Sequence, residues 1–258
     1  EKSRLLLAVA DGVGGWRDQG IDPSLFPYRL LEHAVGIASN TGAEGIAHTP
    51  KDLLTEAFTR MKFDEDRAIG SSTATIVSLD SKEGTMTTAQ LGDSIYAILR
   101  QVKYPAEIIT DAPEQQHYFN CPYQLTLLPR SQDDQMNRGR WDSPNDAVVR
   151  EHQLYPNDIV VVATDGFSDN LGTIEMEAIV NSWAAHERNA MKKSNNKNIA
   201  MDAAAAGRLA AMLVSKAVAL SLDTKRASPF AQRAKEAGQR YRGGKPDDVT
   251  VLVAIVED

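Results

Sequence analysis

Three apolar runs in this sequence each meet an aspartate at one end. "LLLAVADG" delivers Asp11, "IVVVATDG" delivers Asp165, and "PDDVTVLVAIV" begins with Asp247 and Asp248. Short β-branched and apolar runs bordered by turn residues read as buried strands, so the fold must hold carboxylates at the margin of its core. The local alternative for Asp-Gly is a hairpin turn, which needs a second strand directly after it. Neither instance supplies one: "VGGWRDQGIDPS" is loop, and "FSDNLGTIEMEAIV" runs into a helix with Thr173 as candidate N-cap.

The remaining pattern is strand, helices, several strands, helices, strand. One helix is expected with Leu30, Leu31, Ala34, Val35 and Ala38 on its apolar face. A second opens at Thr49 as N-cap with Pro50 at N1, and buries Leu53, Leu54, Ala57, Phe58 and Met61. Residues 72–109 read as an antiparallel meander, and "AVVREHQL" and "DIVVVATD" restore strands at 147–165. Residues 111–146, with four prolines, read as surface loop. A helix from Thr173 and an Ala-rich helix carrying Leu209, Met212, Leu213, Ala217 and Leu220 follow, separated by the polar "HERNAMKKSNNKN", read as a mobile connection. A short helix is capped by Ser228 with Pro229 at N1 and Gly238 beyond its end, before the closing strand. This order favours an α+β fold: a central β-sandwich of two mostly antiparallel sheets flanked by helices, in α-β-β-α layers.

Composition sets the outer bounds. With 258 residues, 42% hydrophobic and 24% charged, the chain can bury a large core, and its apolar runs stop short of the ~18 residues of a membrane helix. A net charge of −7 argues against nucleic acid or anionic lipid as a general partner, and the abundance of aspartate raises the prospect of a hard metal. Cys121 is the single cysteine, so no internal disulfide forms.

Carboxylates gathered at strand ends repel one another unless a positive charge lies between them. Mg2+ and Mn2+ take oxygen ligands and need few carboxylates when those are rigidly held. Asp11 can bridge two ions, Asp165 and Asp247 can hold one or both, and the Gly12 carbonyl can add a ligand. A water polarised between two such ions is suited to phosphate ester hydrolysis.

Competing motifs fail. "GVGGWR" has Arg17 where a dinucleotide fingerprint needs glycine, and "GFSDN" ends a would-be nucleophile elbow in Asn170. Cys121 has Leu127 six residues on, not the arginine of a cysteine phosphatase, and the five histidines show no ligand spacing.

"ADGVGGW", "GSSTATIV", "TAQLGDS", "ATDGFSDN" and "PDDVTVLVA" follow one another as in the metal-dependent protein phosphatases of type 2C, which the chain resembles over nearly its whole length. "GGWRDQGIDPS", "EQQHYFNCPYQL", "SPFAQRAKEAG" and "RGGKPDDVTVLV" resemble the mitochondrial branch of that family. The resemblance implies a phosphoserine/phosphothreonine phosphatase acting on phosphoproteins with two Mg2+ or Mn2+ ions, located in the mitochondrial matrix. Asp11 would be the bridging ligand, Gly12 a carbonyl ligand, Asp165 and Asp247 the remaining ligands, and Asp248 a supporting residue. Asp93 and Asp169 match positions that hold a third ion in some relatives.

Two departures stand out. Relatives commonly read Asp-Gly-His-Gly-Gly where this chain has Val13, so a histidine proposed to protonate the leaving alkoxide is absent. The chain opens Glu1-Lys2, so residues 1–258 are expected to be a single type 2C catalytic domain lacking its first strand, which in the family carries an acidic residue and a phosphate-holding arginine. The alternative is a catalytically weak fold that binds phosphoproteins as a scaffold.

Overall fold

A computed structural model describes residues 4–44, 48–100, 106–111, 113–193 and 202–257. They form two compact units, Glu1–Ser94 with Glu114–Gln153, and Ile95–Pro113 with Leu154–Asp258.

The first unit has a four-stranded antiparallel sheet in the order β1 (Arg4–Val9), β3 (Ala74–Asp80), β4 (Thr85–Leu91), β10 (Val148–Gln153). β1 runs in register from Arg4 opposite Asp80 to Val9 opposite Thr75, which brings Asp11 out at the end of the ladder. Helices α1 (Leu25–Glu44) and α2 (Pro50–Phe63) build the core of this unit. Phe26, Leu30, Ala34 and Ile37 of α1 and Leu53, Leu54, Ala57, Phe58 and Met61 of α2 cluster with Ala74, Ile76 and Leu91. Thr49 caps α2 as expected: its hydroxyl accepts from Asp52 N–H while the Asp52 carboxylate accepts from Thr49 N–H. The stripe on α1 is rotated from expectation. Val35 is 65% exposed and Ile37 is buried, because positions 26, 30, 34 and 37 are the set that recurs at helical spacing.

Residues 111–146 are more ordered than a surface loop. They contain β7 (Gln116–Tyr118) paired with β8 (Cys121–Pro122), β9 (Leu125–Leu127) paired with β2 (Gly70–Ser72), and the short helix α3 (Asp133–Arg138). Leu125 and Leu127 are fully buried. Each piece is too short to show a period in the sequence.

The second unit has the antiparallel order β12 (Val251–Ile255), β11 (Ile159–Ala163), β5 (Ile95–Arg100), β6 (Glu107–Asp111). The expected meander is therefore divided: β3 pairs with β4 in one sheet, while β5 pairs with β6 and β11 in the other. All five residues of β11 are buried, in keeping with its unbroken apolar run. Against this sheet lie α5 (Thr173–Lys193), through Met176, Val180 and Trp183, and α6 (Ala203–Ser221), through Leu209, Leu213 and Ala217. The short helices α4 (Asp165–Ser168) and α7 (Pro229–Glu236) complete the unit.

Four expectations about these helices change. The first α5 hydrogen bond runs from Met176 N–H to the Gly172 carbonyl, so Gly172 caps the helix in place of Thr173. His186–Lys193 of the supposed connection continue α5, and 194–198 lie outside the described residues. Met212 is 41% exposed, off the buried stripe of α6. By length and composition α6 does reach what a membrane span requires, with 28% of that apolar window buried; Leu209, Leu213 and Ala217 pack into the core of this unit.

The fold is thus α+β with two antiparallel sheets and helices packed on each, as the order of elements implied.

Candidate metal centre

The three aspartates of the opening pattern are delivered by different devices. At the end of β1, Asp11 N–H donates to Thr73 Oγ1 (3.3 Å), and the Asp11 carbonyl accepts from Thr73 N–H (3.0 Å) and Ser72 Oγ (2.8 Å). The bridge continues through Gly12 opposite Ser72 and Val13 N–H to the Ser71 carbonyl (3.1 Å). Gly12 is bare for a steric reason: a Cβ there would lie 2.0 Å from the Pro23 carbonyl oxygen. No comparable demand exists at Gly14 or Gly15, where a Cβ meets nothing within 4 Å, and nothing in the structure explains those two glycines.

In the second unit β11 is followed by Thr164, whose N–H reaches the Thr250 carbonyl (3.1 Å) and whose hydroxyl accepts from Thr250 N–H (3.1 Å). This extension of the β11–β12 pairing brings the start of α4 beside the 247–249 segment. Gly166 permits the approach, since a Cβ would sit 2.3 Å from the Asp248 carbonyl oxygen and 3.2 Å from Asp247 Cβ. The two Asp-Gly pairs therefore share a logic unlike a hairpin: each glycine makes room for a second backbone.

The outcome is a cluster. Carboxylate oxygens of Asp165, Asp169 and Asp247 all lie within 4.8 Å of one another. Into it projects Lys245, its Nζ 2.8 Å from Asp165, 2.6 Å from Asp169 and 3.1 Å from Asp247. Arg233 of α7 donates to the second Asp169 oxygen. Asn170, fully buried, fixes the lysine loop from both sides: its Nδ2 donates to the Lys245 carbonyl (2.7 Å) and its Oδ1 accepts from Lys245 N–H (2.8 Å).

Charge explains the lysine. Burial and the Asp165 charge push the Asp169 carboxyl up to about 7, with Lys245 and Arg233 opposing. Burial pulls the Lys245 ammonium down, but Asp165 and Asp169 outweigh it and hold it above the usual lysine range. The cluster demands a cation, and its donors are all hard oxygens on rigid supports, which fits Mg2+ or Mn2+.

The structure brings together Asp165, Asp169 and Asp247. Asp248 is exposed, and what it contributes is its main chain, the carbonyl accepting from Thr164 Oγ1 (3.3 Å). Asp93 belongs to the first unit, buried in the turn after β4, where Gln116 Nε2 reaches it at 3.4 Å. Sequence reasoning missed Lys245, Arg233 and Asn170. "KPDD" does place a lysine two residues before Asp247, but a lone lysine beside aspartates carries no signal that it turns inward.

No protein-family model matches the chain. Among curated proteins it is 36% identical over 255 residues to the protein phosphatase PTC7 homolog fig of Drosophila pseudoobscura pseudoobscura, covering 97% of this chain and 68% of that protein. It is 38% identical over 252 residues to the homolog of Drosophila grimshawi, covering 97% and 75%. Among solved structures, the photosystem II phosphatase PBCP superposes with a TM-score of 0.72 at 26% identity, covering 99% of this chain and 92% of that one. The catalytic domain of the serine/threonine phosphatase PstP, solved with two manganese ions, shares the fold at 16% identity and a TM-score of 0.53, covering 98% and 88%. The acidic cluster, the α+β fold and these relatives converge: the chain belongs to the PTC7 branch of the divalent-metal-dependent, type 2C protein serine/threonine phosphatases.

Proposed function

We propose that this phosphatase acts on phosphoserine and phosphothreonine of mitochondrial proteins in the matrix, that it uses two ions of Mg2+ or Mn2+, and that residues 1–258 work as one catalytic domain. The observation that carries the metal reading is the Asp165–Asp169–Asp247 cluster, whose like charges are relieved here by an ammonium. In this reading Asp165 and Asp247, together with Asp11 and the Gly12 carbonyl, would hold the ions, as the type 2C resemblance implies. Asp169 and Asp93 would serve a third ion in the same resemblance, and Asp248 contributes through its main chain, whose carbonyl accepts from Thr164 Oγ1. Bound divalent ions supply Lewis-acid polarisation of a phosphoryl oxygen and of the attacking water.

The residues of the chain do the rest. Gly166 and the Thr164–Thr250 pairing hold Asp165 and Asp247 in place before substrate arrives, so little reorganisation is needed during reaction. Asn170 fixes the loop that carries Lys245 and leads to Asp247. Val13 has no proton to give, so the leaving alkoxide must take its proton from another group. Val13 also favours the alternative, a binding-only scaffold, but a scaffold has no use for a costly cluster of carboxylates.

Calorimetric titration of the metal-free protein with Mn2+ tests the stoichiometry, two equivalents being expected and none contradicting the reading. Cell fractionation with an antibody tests the matrix location, which the resemblance to the mitochondrial branch and the PTC7 relatives support.

A further inference from the structure

On the second unit, the segment before α7, α7 itself and the loop after it enclose a groove of about 580 Å³. Its lining includes Lys225, Arg226, Lys235, Arg240 and Arg242, together with Tyr241, and contains no carboxylate. That is five cations on a chain whose net charge is −7.

The groove is built. Gly243 N–H donates to the Arg226 carbonyl (3.0 Å) and Ser228 Oγ to the Gly243 carbonyl (2.6 Å), which stitches its two walls together. The Tyr241 hydroxyl donates to the Gly244 carbonyl (2.9 Å), and its ring meets Phe230 edge-on at 4.8 Å. Arg226 is held bidentately by Glu175 of α5, at 3.0 and 2.6 Å, yet its buried Nε has no hydrogen-bond partner among the described residues. Lys225, Lys235, Arg240 and Arg242 are exposed, and none forms an ion pair with a described residue. The nearby acids Glu236 and Asp223 are on the same segments but outside the lining. Such a groove attracts anions through four uncommitted cations, and rejects cationic chains by the same charges.

It is also close to the metal centre along the chain. Arg242 precedes Asp247 by five residues, a span of at most ~18 Å when extended. α7 serves both places, giving Arg233 to Asp169 and Lys235 to the groove. The geometry points to a docking groove for an acidic or further phosphorylated segment of the substrate protein, within about five residues of the phosphate being removed. This rests on the phosphoprotein phosphatase reading above and adds to it the class of substrate preferred.

The test compares two phosphothreonine peptides that differ only in Glu or Gln at the flanking positions, an aryl phosphate with no flank, and the variant Lys235→Gln/Arg240→Gln/Arg242→Gln. The wild type is expected to show about 10-fold lower KM for the Glu peptide, a gap that closes at 1 M salt as the Debye length falls to ~3 Å. In the triple variant the two peptides become equal while aryl phosphate turnover is unchanged. Equal KM values in the wild type, or a gap that survives in the variant, overturn the groove. Anisotropy of a labelled acidic peptide without phosphate reads the groove independently of hydrolysis. Binding lost in the variant supports the groove even if no substrate is turned over, an outcome that would count against the phosphatase reading alone. Tighter binding of an RNA of equal charge overturns the peptide assignment.

Discussion

Lys245 Nζ lies 2.6 Å from Asp169 Oδ2, so a fixed ammonium occupies the middle of a triad of aspartates that a divalent ion is expected to use. Removing one partner of a buried ion pair leaves the other uncompensated, at a cost of about 3 kcal/mol. Lys245→Met should therefore lower the melting temperature of the protein in chelator, and Mn2+ should restore more stability to the variant than it gives the wild type. Differential scanning fluorimetry with and without Mn2+ measures both. An equal response of the two proteins to metal would show that lysine and metal do not answer the same charge.

Gly166 and Gly14 make opposite forecasts from the same substitution. Gly166→Ala drives a Cβ to 2.3 Å from the Asp248 carbonyl oxygen, so the 247–249 segment must shift, at about 1–3 kcal/mol of stability and most of the metal-dependent activity. Gly14→Ala meets nothing within 4 Å and should leave activity within about twofold. Aryl phosphate assays beside far-UV dichroism separate misplacement of Asp247 from loss of fold.

The difference between these glycines shows what the sequence carried. Asp11, Asp165 and Asp247 were legible because each ends an apolar run whose β-branched residues make it a strand, and Asp-Gly without a following strand excludes a hairpin. Lys245, Arg233 and Asn170 were not, since each becomes part of the site through a contact made across 64 to 80 residues of chain. The division of the meander between two sheets was equally hidden, because Gly92–Ser94 looks like any other turn while β5 takes β11 as its partner. Short pieces such as β9 lack the length to show a period at all.

Acid should loosen the second unit through Glu187. Its nearly buried carboxylate accepts from Arg208 Nε at 2.9 Å and Nη2 at 2.8 Å, which holds its pKa below the usual 4.5. A lowered folded-state pKa stabilises the fold above 4.5, and that contribution is lost as pH falls through the folded value. With Arg208 half exposed, solvent screens the pair and its stabilisation is small. Glu187→Gln should flatten the dependence of the urea midpoint on pH below about 4.5, where the wild type weakens as its carboxylate takes up a proton.

Val13 separates the two kinds of leaving group. Val13→His restores a proton donor to the loop after Asp11, and general acid help is worth up to about 10²–10⁴-fold where protonation limits the rate. Turnover of a phosphothreonine peptide should rise by about 10-fold or more, and turnover of an aryl phosphate, whose leaving group needs no proton, by less than about twofold. Parallel changes would mean that protonation does not limit this enzyme.

The central claim is that the carboxylates of Asp165 and Asp247 serve a divalent ion that drives phosphate ester hydrolysis. The direct measurement is Mn2+-dependent hydrolysis of an aryl phosphate by the wild type, Asp165→Asn and Asp247→Asn, with melting curves taken in chelator. The account predicts a loss of about 10²-fold or more in kcat/KM for each variant, with chelator-state melting temperatures no lower than the wild type's by more than a few degrees. Wild-type activity retained in both variants, or hydrolysis by the wild type that persists undiminished in chelator, would contradict it.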